Sequence, residues 1–279
     1  MKKLLEKTHE AWLATLMTAF MAKNAKSKQT LFEFSDIMFR HFTWIEHDLI
    51  VRGMDYDYDR DHIPIKVERL KTMTDNLLSR ISDLELLTIE CEDENLRHRI
   101  ESDLSYISKV IASIPDESVE AFDMNRKYGD VELSREATDA LTLFLFEESY
   151  KEYELIMIYN YLKAHSDDEF INRIFQIMVD ESFFHLRSFC QMMSDMGILG
   201  VPRVIHRSLY SVEDMESFLR DGIEEETAAK EQCRELSDAV AADSEELASF
   251  FDFINYQESY HIDLMKEALE YYTSSKSDK

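Results

Sequence analysis

Glycine and proline, the residues that most often interrupt a helix, occur only five and three times in 279 positions. So few breakers leave long uninterrupted stretches and favour helices over a strand-and-turn architecture. Apolar residues recurring at steps of three and four predict helices over 3–24, 30–52, 64–91, 94–114, 134–164, 167–197, 211–241 and 245–273. Pro64, Pro115, Gly129, Gly197, Gly200 and Pro202 fall in the connections, while Gly222 lies inside the seventh helix, where a kink or break is expected. Ser166–Glu169 reads as a capping box and Asp243–Glu246 as a looser one. Residues 116–133 form the best linker, giving an N-terminal helical region over 1–115 and a four-helix unit over 134–273.

The net charge of −26 argues against nucleic acid and anionic membranes as partners, since both require clustered Lys and Arg. No apolar run is long enough to span a membrane, and the first residues, MKKLLEKTHEAWLATLMTAFMAK, read as an amphipathic helix rather than a cleaved leader. Cys91, Cys190 and Cys233 are odd in number and widely spaced. That argues against a disulfide framework, a zinc ribbon or a rubredoxin-type centre in this chain, and points to a reducing, cytoplasmic setting.

Polar residues on the apolar stripes of the last four helices carry the functional signal. The final helix gives Leu247, Phe250, Ile254, Glu258, His261, Met265 and Ala268, with a carboxylate and an imidazole three apart in QESYH. The helix over 167–197 gives Ile171, Ile174, Met178, Glu181, His185 and Met192. That over 134–164 gives Leu141, Phe144, Glu148, Leu155, Ile158 and Leu162, with Glu152 one turn beyond Glu148; that over 211–241 gives Leu219, Ile223, Glu226, Ala229, Cys233, Leu236 and Val240. In antiparallel hairpins, residues equidistant from the turn share a level. Glu148 lies 18 residues before Ser166 and Glu181 lies 15 after it; Glu226 lies 18 before Ser244 and Glu258 lies 14 after it. Packed together, the two hairpins bring four carboxylates and two imidazoles into one layer. Carboxylates buried so close repel or take up protons unless cations join them, and a pair of metal ions resolves the conflict.

Glu, Glu-x-x-His, Glu, Glu-x-x-His on four helices resembles the signature of the ferritin-like carboxylate-bridged dinuclear metal proteins, such as bacterioferritin and the rubrerythrins. The resemblance covers about 134–273. It implies an all-α, ferritin-like antiparallel four-helix bundle preceded by an N-terminal helical region. It further implies two iron or manganese ions, iron ahead of manganese, held by Glu148 or Glu152, Glu181, His185, Glu226, Glu258 and His261. Two departures stand out. Glu181-Ser-Phe-Phe-His185 is one residue longer than the motif, which leaves open a π-bulge or a non-ligating His185. The first Glu is also open: turn distance favours Glu148, and a Tyr seven residues on (Tyr159) favours Glu152. Such centres act as oxidoreductases on oxygen, peroxide or ferrous iron. Without a Cys-rich domain here, peroxide reduction requires a separate electron donor. The other reading is a non-catalytic scaffold or iron-sequestering protein whose site is vestigial. A homodimer is the base expectation for assembly.

Other polar stretches point less far. Asp55, Asp57, Asp59 and Asp61 alternate like calcium ligands and Asp57–Glu68 has an EF-hand span, but His62 stands where that loop needs Gly; a solvated acidic turn is expected. Glu46 shares a stripe with Phe39, Phe42 and Leu49, and His47 points about a quarter-turn away. This stretch faintly resembles helices of other bacterial ferritin-like proteins, so a second, worn-down site and plain packing around Trp44 are both open. QMMSDMG reads as core filling. Phe144, Phe183, Phe184 and Tyr260 flank the candidate ligands, as pocket lining or as packing.

Overall fold

A computed structural model describes residues 1–63, 69–119, 127–128, 131–200 and 203–277. The fold is mostly helical. The helices are α1 (Lys2–Met21), α2 (Ala25–Val51), α3 (Leu70–Leu87), α4 (Glu94–Ala112), α5 (Arg135–Ala164), α6 (Glu169–Asp195), the short α7 (Arg207–Tyr210), α8 (Met215–Val240) and α9 (Glu245–Ser277). The strands β1 (Lys127–Tyr128) and β2 (Val131–Glu132) pair antiparallel within the stretch expected to be a linker. No helix among the described residues is long and apolar enough to cross a membrane. The chain divides into two compact units, Met1–Asp123 with Gly197–Arg207 and Met124–Met196 with Ser208–Lys279.

In the first unit α1 packs on α2 and α3, α3 on α4, and α4 on α2. The amphipathic helix expected at the N-terminus is instead buried without a break from Thr8 to Met21. The one acid within that run is satisfied: Glu10 takes Arg80 at 3.0 Å and Lys7 at 2.7 Å, which lets a carboxylate sit on a buried face. Asn24 caps α2 by accepting from Ser27 N, and so starts that helix five residues earlier than expected. The predicted start of the third helix, 64–68, lies outside the described residues.

In the second unit α5 packs on α6 and α8, and α9 packs on α6 and α8, closing a ring of four long helices. Both hairpins are antiparallel. Phe144 meets Phe189 while Tyr159 meets Phe175, and Ser237 bonds Ala248 while Asn255 reaches Lys230. The caps differ from expectation by a residue or two. Asp168 rather than Ser166 caps α6 by accepting from Phe170 N and Ile171 N, and Ser244 accepts from Leu247 N at the start of α9. Gly222 does not break α8, which is continuous; a Cβ there would lie 2.9 Å from Met265 Sδ, so the glycine admits that side chain. Met192, Met193 and Met196 are buried as core, and Gly197 follows α6 at φ +76°, a conformation that suits glycine.

Candidate metal centre

Four helices deliver the polar layer between two aromatic ones. Phe144, Phe189 and Phe251 meet edge-to-face on one side, and Tyr159 contacts Phe175 and Phe218 on the other. Between them lie Glu152 on α5, Glu181 and His185 on α6, Glu226 on α8, and Glu258 and His261 on α9. All are buried except Glu181, whose side chain is 24% exposed. Sequence placed Phe250 on the stripe of α9, whereas the fold buries its neighbour Phe251 completely.

The donors fall into two groups that share Glu258. Glu152, His185 and Glu258 form one, and Glu226, Glu258 and His261 the other; within each, one donor atom per residue lies within 4.8 Å of the others. His185 Nδ1 is 2.9 Å from Glu152 Oε1 and 3.7 Å from Glu258 Oε1. His261 Nδ1 is 3.0 Å from Glu258 Oε2 and 3.4 Å from Glu226 Oε2, and its Nε2 bonds Glu181. The two rings are 5.7 Å apart.

The two first-helix acids have different partners. Glu152 faces His185, whereas Glu148, also buried, pairs with Lys151 at 2.8 Å. The count of 18 matched Glu148 to Glu226 of the other hairpin, but within its own hairpin Glu152, 14 residues before Ser166, is nearer the level of Glu181, 15 after it. Counted from the ends of the helices, Glu152 is twelve residues before Ala164 and Glu181 twelve after Glu169. No π-bulge accommodates the longer Glu181–His185 spacing: α6 is regular, and its two polar residues simply meet different partners. Ser182, three residues before His185 and 1% exposed, occupies the spot a regular Glu-x-x-His would give to carboxylate. Sequence reasoning passed over Ser182, although it continues the Met178–His185 stripe. It also passed over Gln257, whose Oε1 is 3.2 Å from His185 Nε2.

Burial disfavours charge on both imidazoles, but the carboxylates outweigh it. Glu152 and Glu258 raise His185 to about 9, and Glu181, Glu226 and Glu258 raise His261 to about 12. Burial, reinforced by Glu226, pushes Glu258 up to about 8. Burial also raises Glu226, yet its bonds to Glu258 and His261 bring it below the ordinary carboxylate value. Cys233, buried near these acids, is held above its usual value and stays a thiol.

The donor set suits hard or borderline divalent cations. Glu152, Glu181, Glu226 and Glu258 with two neutral imidazoles carry four negative charges, which two divalent ions balance. Tyr159 adds an orphan: it is 1% exposed, and its hydroxyl meets no hydrogen-bond partner among the described residues. Burial, then Glu226, Glu152 and Glu258, hold its phenol protonated, well above the usual range.

The other polar stretches have partners of their own, although Asp61 of the acidic turn lies with Glu6 and Glu10 in a third, partly exposed acidic group that Lys7 joins at 3.6 Å. Glu46 is buried and accepts from Tyr56 Oη at 2.8 Å and from Tyr58 Oη, while His47 is exposed. In the acidic turn, Asp55 pairs with Arg207 at 2.9 Å and Asp57 accepts from Asp59 N; Glu68, the EF-hand's last position, lies outside the described residues. Of the flanking aromatics, Phe144 packs in the core, and Phe184 and Tyr260 are 43% and 45% exposed. The cysteines are free and buried. Comparisons with family models, with curated proteins and with solved structures return no match.

Proposed function

We propose that the second unit is a ferritin-like metalloprotein domain with a dinuclear iron or manganese centre, and that it works as an oxidoreductase on oxygen, peroxide or ferrous iron. The observation that carries this reading is the double use of Glu258. One buried carboxylate offers an oxygen to each of two Glu/His groups whose imidazoles are 5.7 Å apart. Glu152 and His185 would hold one ion, Glu226 and His261 the other. Glu258 would serve both, and Glu181 would reach the His261 side. Bound there, such ions supply electron transfer to oxygen species and a Lewis-acidic pole. The chain's own part is to hold donors in fixed rotamers between two aromatic layers and to keep the imidazole protons exchangeable for metal.

A second reading has its own support. His261 already meets three carboxylates and His185 one closely, so the layer has protons that partly stand in for cations. That favours a metal-free scaffold or a sequestering protein. Turnover separates the two. Iron- or manganese-loaded protein should consume oxygen, peroxide or ferrous iron, and Glu258→Ala should lose that activity. Absence of turnover in every loaded form would leave the scaffold reading.

A further inference from the structure

The cavity over the carboxylate layer is large for the smallest reactants. It holds about 460 Å3 and is lined chiefly by α5 and α8, within the range of roughly 300–1,000 Å3 that small-molecule sites occupy. Dioxygen, peroxide or a single metal ion would fill a minor part of it. Its lining includes Glu152, Glu226, Glu258 and His261, so an occupant lies against the layer itself.

Beside the charged residues, part of its wall is apolar. Leu155 and Ile158 lie on the inward stripe of α5 yet are only half-buried, because they line this space instead of packing fully against a neighbouring helix. Phe218, Ala229 and Met265 continue the wall. Apolar surface left uncovered beside a polar centre is the pattern of an organic-ligand site. Tyr159 is among the lining residues, and its hydroxyl is buried without a hydrogen-bond partner among the described residues, a costly feature for a phenol.

The open edge has a sign. Glu154, Asp221 and Glu225 line it, and the latter two are exposed. The only lysine or arginine in the lining is Lys151, and its ammonium is engaged by Glu148 at 2.8 Å and Glu147 at 3.6 Å. An anionic head is therefore disfavoured at the edge and a cationic one favoured.

We propose that this cavity binds a small organic amine, its protonated head at Glu154, Asp221 and Glu225 and its apolar body between α5 and α8. Binding stands on the cavity alone; the amine's standing as the molecule acted upon rests on the metal-centre reading. The amine class would place the protein among enzymes that transform organic molecules, apart from those that only store iron or remove peroxide.

The test is calorimetric titration of the full chain with octylamine, octanol and octanoate near neutral pH, with and without manganese, and with metal content assayed in the same samples. Octylamine should bind at one per chain, at least about tenfold more tightly than octanoate. Ala229→Phe fills the cavity at unchanged net charge and should lose that binding. Ala228→Trp, at an exposed lining position where folding is not at stake, should weaken it. Asp221→Asn with Glu225→Gln should bring octylamine and octanoate within about threefold of each other. Octanoate binding as well as octylamine would overturn the proposal. So would octylamine binding that survives both filling variants, which would mark general attraction to an acidic surface, or no binding by any probe. Amine binding without retained metal would reject the centre and keep the cavity; metal without amine binding would do the reverse.

Discussion

Each unit buries carboxylates in a helical core, and they satisfy them in opposite ways. In the first unit the buried acids among the described residues have dedicated donors: Glu46 has two phenols, and Glu10 has Arg80 and Lys7. In the second, Glu152, Glu181, Glu226 and Glu258 converge on two imidazoles, with Glu258 divided between them. The first arrangement is complete as it stands. The second has more negative charge than donors, a condition that burial makes costly and cations relieve. A buried glutamate alone is therefore a poor sign of a metal; an excess of acceptors over donors at one level is the informative one.

The sharpest way to break this contrast is to remove the shared acid. Glu258→Ala should lower affinity for both ions by more than about a hundredfold, because two donor groups lose a member at once. If one ion is retained at full affinity, Glu258 is not shared. Glu46→Ala should do the opposite. It should leave metal content unchanged while costing about 3 kcal/mol of stability, as two buried phenols lose a common acceptor at roughly 1–3 kcal/mol each. Denaturant midpoints with metal assays would show any exchange of these roles.

Acid should weaken metal binding next. Although burial opposes it, the carboxylates raise His185 to about 9 and His261 to about 12, so both are imidazolium near pH 7 in the metal-free protein. Each ion must displace a proton, so affinity should rise with pH by up to about tenfold per unit for each proton released. Affinity that is flat from pH 6 to 8 would remove the imidazoles from the ligand set. The smallest effect separates neighbours on α5. Glu152→Gln should weaken one ion markedly, while Glu148→Gln, at a residue paired with Lys151, should change metal affinity by no more than about threefold, as read by calorimetry.

Much of this was legible in the sequence, because helical periodicity and buried polar residues share one code. The stripes of α6, α8 and α9 marked Glu181, His185, Glu226, Glu258 and His261, and that of α5 carried Glu148 with Glu152 one turn beyond, while Ser182 and Gln257 went unmarked. What stayed hidden depended on tertiary partners. Both Glu148 and Glu152 are buried, and which of them meets His185 turned on Lys151, a lysine unremarkable in sequence that engages Glu148. The longer Glu181–His185 spacing read as a helix defect, yet it lets Glu181 serve His261 while Ser182 fills the vacated position. The burial of α1 from Thr8 onward was hidden as well, since Glu10 looks solvent-facing until Arg80, seventy residues away, is seen to cover it. Leu155 and Ile158 followed the core pattern but line a cavity. Periodicity gives a face, and only packing tells whether protein or empty space lies opposite it.

Metal content per chain tests the central claim most directly. Protein purified without chelator, or reconstituted anaerobically with ferrous iron or manganese, should hold about two ions per chain, and His261→Ala should hold at most one. Wild-type protein that refuses both metals while remaining folded would contradict the account, leaving the layer as a hydrogen-bonded polar core that closes on its own protons.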